Sequence, residues 1–160
     1  MSLFKDKRAG FTLLELMIVI IILGVLTTLI SGNFLNSLKK GRDARRKEEL
    51  QSIQKALELY YEDKRAYPLT AQVVFGSSLC ETAACVSGEK IYMLPIPQDT
   101  NPACNYYYTS TDGTQYQLYS SLENTNDIGP GVKQSGYGNN CGASSACLCR
   151  FGLSSPNVTP

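Results

Sequence analysis

Residues 10–30 read G-F-T-L-L-E-L-M-I-V-I-I-I-L-G-V-L-T-T-L-I, and this stretch decides the architecture. From Phe11 to Ile30 the chain is apolar apart from Thr12, Glu15, Gly24, Thr27 and Thr28. At a helical rise of about 1.5 Å per residue these residues cover the roughly 30 Å hydrocarbon core of a bilayer, so a membrane-spanning helix is predicted. Ahead of it, residues 1–10 form a short leader, with Lys5, Lys7 and Arg8 against Asp6, that ends in glycine. An ordinary secretory signal is cut behind its apolar stretch at small residues of A-x-A type. Behind Ile30 the chain reads S-G-N-F-L-N, without that pattern, and the apolar segment is therefore expected to stay in the mature chain.

Glu15 is the one carboxylate within the apolar run. An ionised carboxylate inside a membrane helix costs about 3 kcal/mol or more, so it is normally paired or functional. The plainer reading is that it lies close enough to the helix end to reach the headgroups.

Beyond the span the helical pattern continues over residues 31–67, through Phe34, Leu35 and Leu38 and then Leu50, Ile53, Leu57, Tyr60 and Tyr61. Spacings of three and four put the second group on one face. Gly32 and Gly41 are points of bending or fraying, each costing about 1 kcal/mol relative to Ala. Pro68 disfavours helical geometry at Tyr67, and Lys64 and Arg65 suit the negative end of the helix dipole, which ends the helix near Arg65.

Residues 68–160 change to turn residues and short strands. Asn105 to Thr111 and Thr114 to Leu122 flank Asp112-Gly113, a two-residue hairpin signal. A partner strand is expected around Ala146 to Leu153, because a lone hairpin is rarely stable. Residues 124–145 read as loop, and 154–160 as a disordered tail. The predicted class is α+β, with a long N-terminal helix, its first half transmembrane, packed against a small antiparallel β-sheet head.

With 160 residues there is room for one ordinary domain besides the helix. No His is present, which removes the commonest general base and metal ligand, and no phosphate-loop or dinucleotide motif occurs. No enzyme activity and no cofactor are expected. The six cysteines, Cys80, Cys85, Cys104, Cys141, Cys147 and Cys149, all lie beyond the long helix and suit disulfides in an oxidising compartment. Six cysteines allow fifteen pairings. Cys80 and Cys85 are placed to close a small loop, whereas Cys147 and Cys149, on one face of a strand, each reach elsewhere. Structural zinc is disfavoured by the lack of His and of paired C-x-x-C knuckles.

The junction G-F-T-L-L-E-L, Gly10 to Leu16, resembles the class III signal of type IV prepilins and type II secretion pseudopilins. The resemblance extends to Ala56–Gln72, A-L-E-L-Y-Y-E-D-K-R-A-Y-P-L-T-A-Q, which is similar to the helix-to-head junction of major pseudopilins, and Gly24 falls where pilins often carry a helix-loosening glycine. Many type IV pilins have proline where this chain has Gly32, and the last forty residues match no familiar family loop.

What the resemblance implies is specific. A membrane-embedded prepilin peptidase would cut between Gly10 and Phe11 and methylate the new amine of Phe11. Glu15 would meet the N-terminal amine of a neighbouring subunit, and Phe11 and Glu15 together would carry assembly. The precursor would be a single-pass protein of the cytoplasmic membrane, the product a helical homo-oligomer driven by an assembly platform and its ATPase. That filament is an extracellular type IV pilus or, as the alternative, the envelope pseudopilus of a type II secretion or DNA-uptake machine; a tethered binding module that never polymerises is a further alternative.

Two charged stretches need separate readings. Lys39, Lys40, Arg42, Arg45, Arg46 and Lys47 lie close behind the span, and positive-inside counting would put them in the cytoplasm. The cysteines and the family signal outweigh that count, with Glu48, Glu49, Glu58 and Glu62 of adjacent subunits opposing the basic run. Interleaved acids and the absence of stacking aromatics speak against nucleic acid as a partner. The oxygen-rich run Glu123, Asn124, Asn126 and Asp127 resembles the calcium loop of major pseudopilins, but regular ligand spacing is missing and these are ordinary turn formers, so no metal is assigned.

Overall fold

The computed structural model describes residues 10–82, 84–142 and 147–160, and of residues 29–33 only the backbone. The chain divides into two compact units, one ending at Leu38 and the other comprising Lys39–Pro160. One α-helix, α1 (Leu13–Lys64), contributes to both and continues through Gly24, Gly32 and Gly41.

From Leu13 to Leu26 α1 carries apolar side chains on every side, with Glu15 the one charged residue. Leu13, Leu14, Met17, Ile20, Ile21 and Val25 are each more than half exposed, and Ile18, Val19 and Leu26 on the other sides are nearly so. The hydroxyls of Thr27 and Thr28 fold back onto the carbonyls of Leu23 and Val25, each at 2.7 Å, which satisfies their donors within the helix. Among the described residues no helix is long and apolar enough to cross a membrane. The far end of the expected span at residues 11–30, the side chains of Leu29 and Ile30, lies outside the described residues.

In the second unit α1 is amphipathic. Leu50, Ile53, Leu57 and Tyr60 form the buried stripe expected from their spacing, with Leu50 and Leu57 fully buried; Ala56 joins it, and Tyr61 is only half-buried. Leu50, Ile53, Ala56 and Leu57 pack with Leu79, Ile96, Tyr106, Tyr108, Tyr116, Leu118, Leu122 and Phe151 in the main core. Burying a side chain of this size contributes about 1.5–3 kcal/mol. The helix stops at Lys64, and Arg65 takes the left-handed conformation (φ 56°) while its N–H bonds to Tyr61 O at 2.8 Å. Tyr67 then stacks on Tyr61 and meets Tyr116 edge-on.

A 3₁₀ turn, Thr70–Gln72, follows, and then two antiparallel sheets. The first pairs β1 (Leu79–Cys80) with β2 (Ile91–Met93). The second has the order β3-β4-β5, with β3 at Tyr107–Thr109, β4 at Gln117–Ser121 and β5 at Cys149–Ser154. The Leu94–Pro95 peptide is cis.

Two expectations are corrected, and a third is met with shifted bounds. The β3–β4 connection is not a two-residue hairpin: Thr109 pairs with Gln117, leaving 110–116 as a longer loop. Asp112 and Gly113 do turn the chain, with Gly113 at φ 75°, but Gly113 O accepts Tyr67 N–H and Thr70 N–H donates to Ser110 O, so the loop docks on the chain leaving α1. The partner strand is Cys149–Ser154, later than expected, and Ala146 lies outside the described residues. The tail expected to be disordered is held: Ser154 belongs to β5, and Ser155, 1 % exposed, donates its N–H to Tyr116 O.

Candidate assembly site and head anchor

Gly10 and Phe11 precede α1, with Phe11 83 % exposed. Thr12 is the residue before the helix and Glu15 the third residue in it. Thr12 N–H and Thr12 Oγ1–H both donate to Glu15 Oε2 at 3.2 Å, and Glu15 N–H donates back to Thr12 Oγ1 at 3.2 Å. This reciprocal arrangement is a capping box, which satisfies two of the four orphan donors of a helix N-terminus and places a carboxylate at the positive end of the helix dipole. The sequence reading of Glu15 as a membrane carboxylate misses this role, although T-L-L-E in front of an apolar run is the pattern for it. The carboxylate therefore sits within one turn of the Phe11 peptide, at the head of a surface that is otherwise apolar all round.

Half of the basic run on α1, Arg42, Arg46 and Lys47, pairs with acids from the chain beyond the helix. Arg46, buried, donates Nε and Nη2 to the two oxygens of buried Asp99 at 2.8 and 3.1 Å, and Nη1 to Asp43 at 2.9 Å and Glu123 at 3.0 Å. Arg42 Nε donates to Glu123 Oε1 at 2.9 Å, and Lys47 Nζ lies 2.6 Å from Asp127 Oδ2. Arg42 foremost, with Arg46, holds the Glu123 carboxyl down to about 2, against the opposing cost of burial. Lys47, with the Gly129 N–H, lowers the Asp127 carboxyl.

Arg42, Arg46 and Lys47 thus find acids within their own chain. Glu49 bonds Arg45 and Tyr106, while Glu58 accepts from Tyr67 and Tyr116 at 3.0 and 3.1 Å. Three of the six cations in this run, Arg42, Arg46 and Lys47, are paired with acids of the same unit, Glu123, Asp99 and Asp127.

The six cysteines form three disulfides, Cys80–Cys85, Cys104–Cys147 and Cys141–Cys149. Cys147 and Cys149 reach different partners, and together their bonds tie the start of β5 and the chain just before it to the 104 and 141 segments. Among the described residues no three His, Cys, Asp or Glu side chains converge as a metal site.

Comparisons with known proteins match the same landmarks. The family described as "Prokaryotic N-terminal methylation motif" matches residues 5–31, a range that contains Gly10, Phe11 and Glu15. The type II secretion system core protein G of Klebsiella pneumoniae is 34% identical over 97 residues, covering 59% of this chain and 69% of that protein. The chain belongs to the type IV pilin and pseudopilin family. Core protein G of Escherichia coli (strain K12) is 39% identical over 67 residues, 42% of this chain and 46% of its own length. That of Aeromonas hydrophila is 37% identical over 68 residues, 42% and 48%. The chain spans about half the length of these two relatives. No solved structure matches. For a pilin-family chain the capping box at Thr12 and Glu15 falls inside the stretch that defines the family, whereas the ion network lies beyond it.

Proposed function

We propose that this chain is a prepilin: a structural subunit, and not an enzyme, that polymerises through its N-terminal helix into a pilus-like filament. The observation that carries the reading is the N-terminal stretch of α1, apolar and exposed on every side from Leu13 to Leu26, headed by Gly10-Phe11-Thr12 and the carboxylate of Glu15. So much apolar surface needs lipid or other helices around it, and a bundle of identical helices supplies the second once the first is left.

In this mechanism residues 11–30 anchor the precursor in the cytoplasmic membrane as a single pass, with leader 1–10 on the cytoplasmic side and the disulfide-bonded unit on the other. A prepilin peptidase cuts after Gly10, and the amine of Phe11 is methylated. Glu15 then exchanges part of its bonding to Thr12 for the Phe11 amine of an adjacent subunit, which neutralises both charges in the filament core and sets the axial register. The chain has no nucleotide-binding motif, so extraction from the membrane falls to a separate platform and ATPase.

The names of the relatives favour one version, a pseudopilus within a type II secretion machine, over a surface pilus. Deleting the gene and shearing the cells separates the two. Loss of long surface fibres in electron microscopy with normal secretion supports the pilus, and loss of secreted enzymes without a change in surface fibres supports the pseudopilus. Terminal sequencing that finds Met1 on the assembled subunit rejects both.

A further inference from the structure

Loop 123–129 is the oxygen-rich run whose resemblance suggests calcium, and its residues do not fit that ion. Calcium takes six to eight oxygens at about 2.3–2.6 Å. Here both oxygens of Glu123 are taken by Arg42 and Arg46, and Asp127 Oδ2 by Lys47. Asp127 Oδ1 accepts Gly129 N–H at 2.9 Å, and Asn124 Oδ1 accepts Asn126 N–H at 3.2 Å. The two oxygens of buried Asp43 accept the N–H groups of Glu123 and Asn124 at 2.7–3.1 Å.

We propose that the loop is clamped by fixed cations of α1, with the Lys47 ammonium on Asp127 and the Arg42 and Arg46 guanidinium groups on Glu123 in the role a divalent ion would fill. Three observations support a built clamp. The Lys47 and Asp127 side chains are only 23 and 19 % exposed, which protects the pair from screening. The ammonium also lies 5.4 Å from the centre of the Phe151 ring, a cation-π distance, so β5 fixes it from a further side. Gly129 leaves room for the pair, since a Cβ there would stand 3.2 Å from Asp127 Oδ1 and 3.4 Å from Lys47 Nζ. Gln134 adds a lock to the same loop, its Nε2 donating to Asp127 O at 2.6 Å.

A clamp of this kind makes the order of the loop independent of calcium. It is independent of whether the chain polymerises, so the two proposals fail separately. The test uses the full chain in detergent micelles, titrated with calcium chloride by calorimetry, with its unfolding midpoint read in excess calcium and in EDTA. The expected result is no stoichiometric heat and midpoints within about 1 °C, whereas an ion bound a hundredfold above its dissociation constant would raise the midpoint by several degrees. Hydrogen exchange of the 123–133 peptide is measured on the same samples. Lys47→Met is expected to speed exchange about 5-fold, the factor that about 1 kcal/mol gives, with Lys47→Arg keeping most of the protection. Asp127→Asn, which leaves every buried cation of the network in place, is expected to repeat the Lys47→Met result. Stoichiometric calcium binding that raises the midpoint, or unchanged exchange in Lys47→Met and Asp127→Asn, overturns the proposal.

Discussion

Arg46 and Asp99 meet as a forked pair, Nε on Oδ2 at 2.8 Å and Nη2 on Oδ1 at 3.1 Å, both buried and 53 residues apart in sequence. The pair joins α1 to the segment after β2, and Asp43 and Glu123 complete the guanidinium's bonding. Such a fork fixes direction as well as distance.

Arg46→Ala leaves Asp43 and Asp99 buried without their cation and is expected to destabilise the chain by about 3–5 kcal/mol. Arg46→Lys is expected to recover only part of this, because an ammonium cannot serve two oxygens of Asp99 in a fork. Urea unfolding of both variants in micelles, read by tyrosine fluorescence, measures the difference.

Stability is expected to fall in acid through the same network. Glu123 is depressed from an ordinary value of 4.5 to about 2, and Asp127 is lowered as well. A carboxyl depressed by folding contributes its full stability above its unfolded value and loses it as pH falls through its folded one. The loss therefore runs from about pH 5 down to pH 2, with roughly 2–3 kcal/mol from Glu123 after allowance for its partial exposure. Melting curves across that range should show a shallower slope for Glu123→Gln.

The disulfides are expected to contribute unequally. Cys104–Cys147 closes a separation of 43 residues and Cys80–Cys85 one of 5. Loop-closure entropy then gives about 4 kcal/mol for the first and about 2 kcal/mol for the second. Paired Cys→Ala variants, compared by urea midpoint, test the order; a larger loss from the 80–85 pair would contradict it.

Arg65 occupies, at φ 56°, a position after the helix where glycine is usual. Arg65→Gly is expected to stabilise the second unit by about 1 kcal/mol, raising its midpoint by about 3–6 °C. A fall in midpoint would mean that the Arg65 side chain supplies more than its backbone costs.

Legibility followed the range of the interactions. The apolar helix and the stripe of Leu50, Ile53, Leu57 and Tyr60 are local periodicities and can be read directly. The pairing of Leu79–Cys80 with Ile91–Met93 escapes such a reading, because two residues of strand carry no pattern. Asp112-Gly113 reads as a tight hairpin, but the actual loop is set by contacts to Tyr67 and Thr70, 46 and 40 residues before their partners Gly113 and Ser110. The ion network is hidden for the same reason: composition identifies Arg42, Arg46 and Lys47 as basic, and only the fold brings Asp99, Glu123 and Asp127 to them.

Glu15 carries two roles that substitution can separate. As a cap it accepts the Thr12 N–H and hydroxyl, each at 3.2 Å; as a charge it is proposed to meet the Phe11 amine of a neighbour. Glu15→Gln keeps an acceptor for the cap but removes the charge, whereas Glu15→Ala removes both. Membrane insertion is expected to survive in each, since both changes lower the cost of transferring the segment into lipid. Cleavage is expected to survive because the Gly10–Phe11 bond lies four residues upstream. Assembly is expected to fail in both, because an unpaired amine buried in an apolar core costs about 3–5 kcal/mol per subunit. Thr12→Ala, which weakens the cap by about 1 kcal/mol and keeps the charge, is expected to assemble with a modest loss. Counting sheared filaments by electron microscopy beside immunoblots of cleaved subunit reads all three. If Glu15→Gln assembles like the parent while Glu15→Ala does not, the carboxylate acts as a helix cap and the charge-pairing mechanism is wrong.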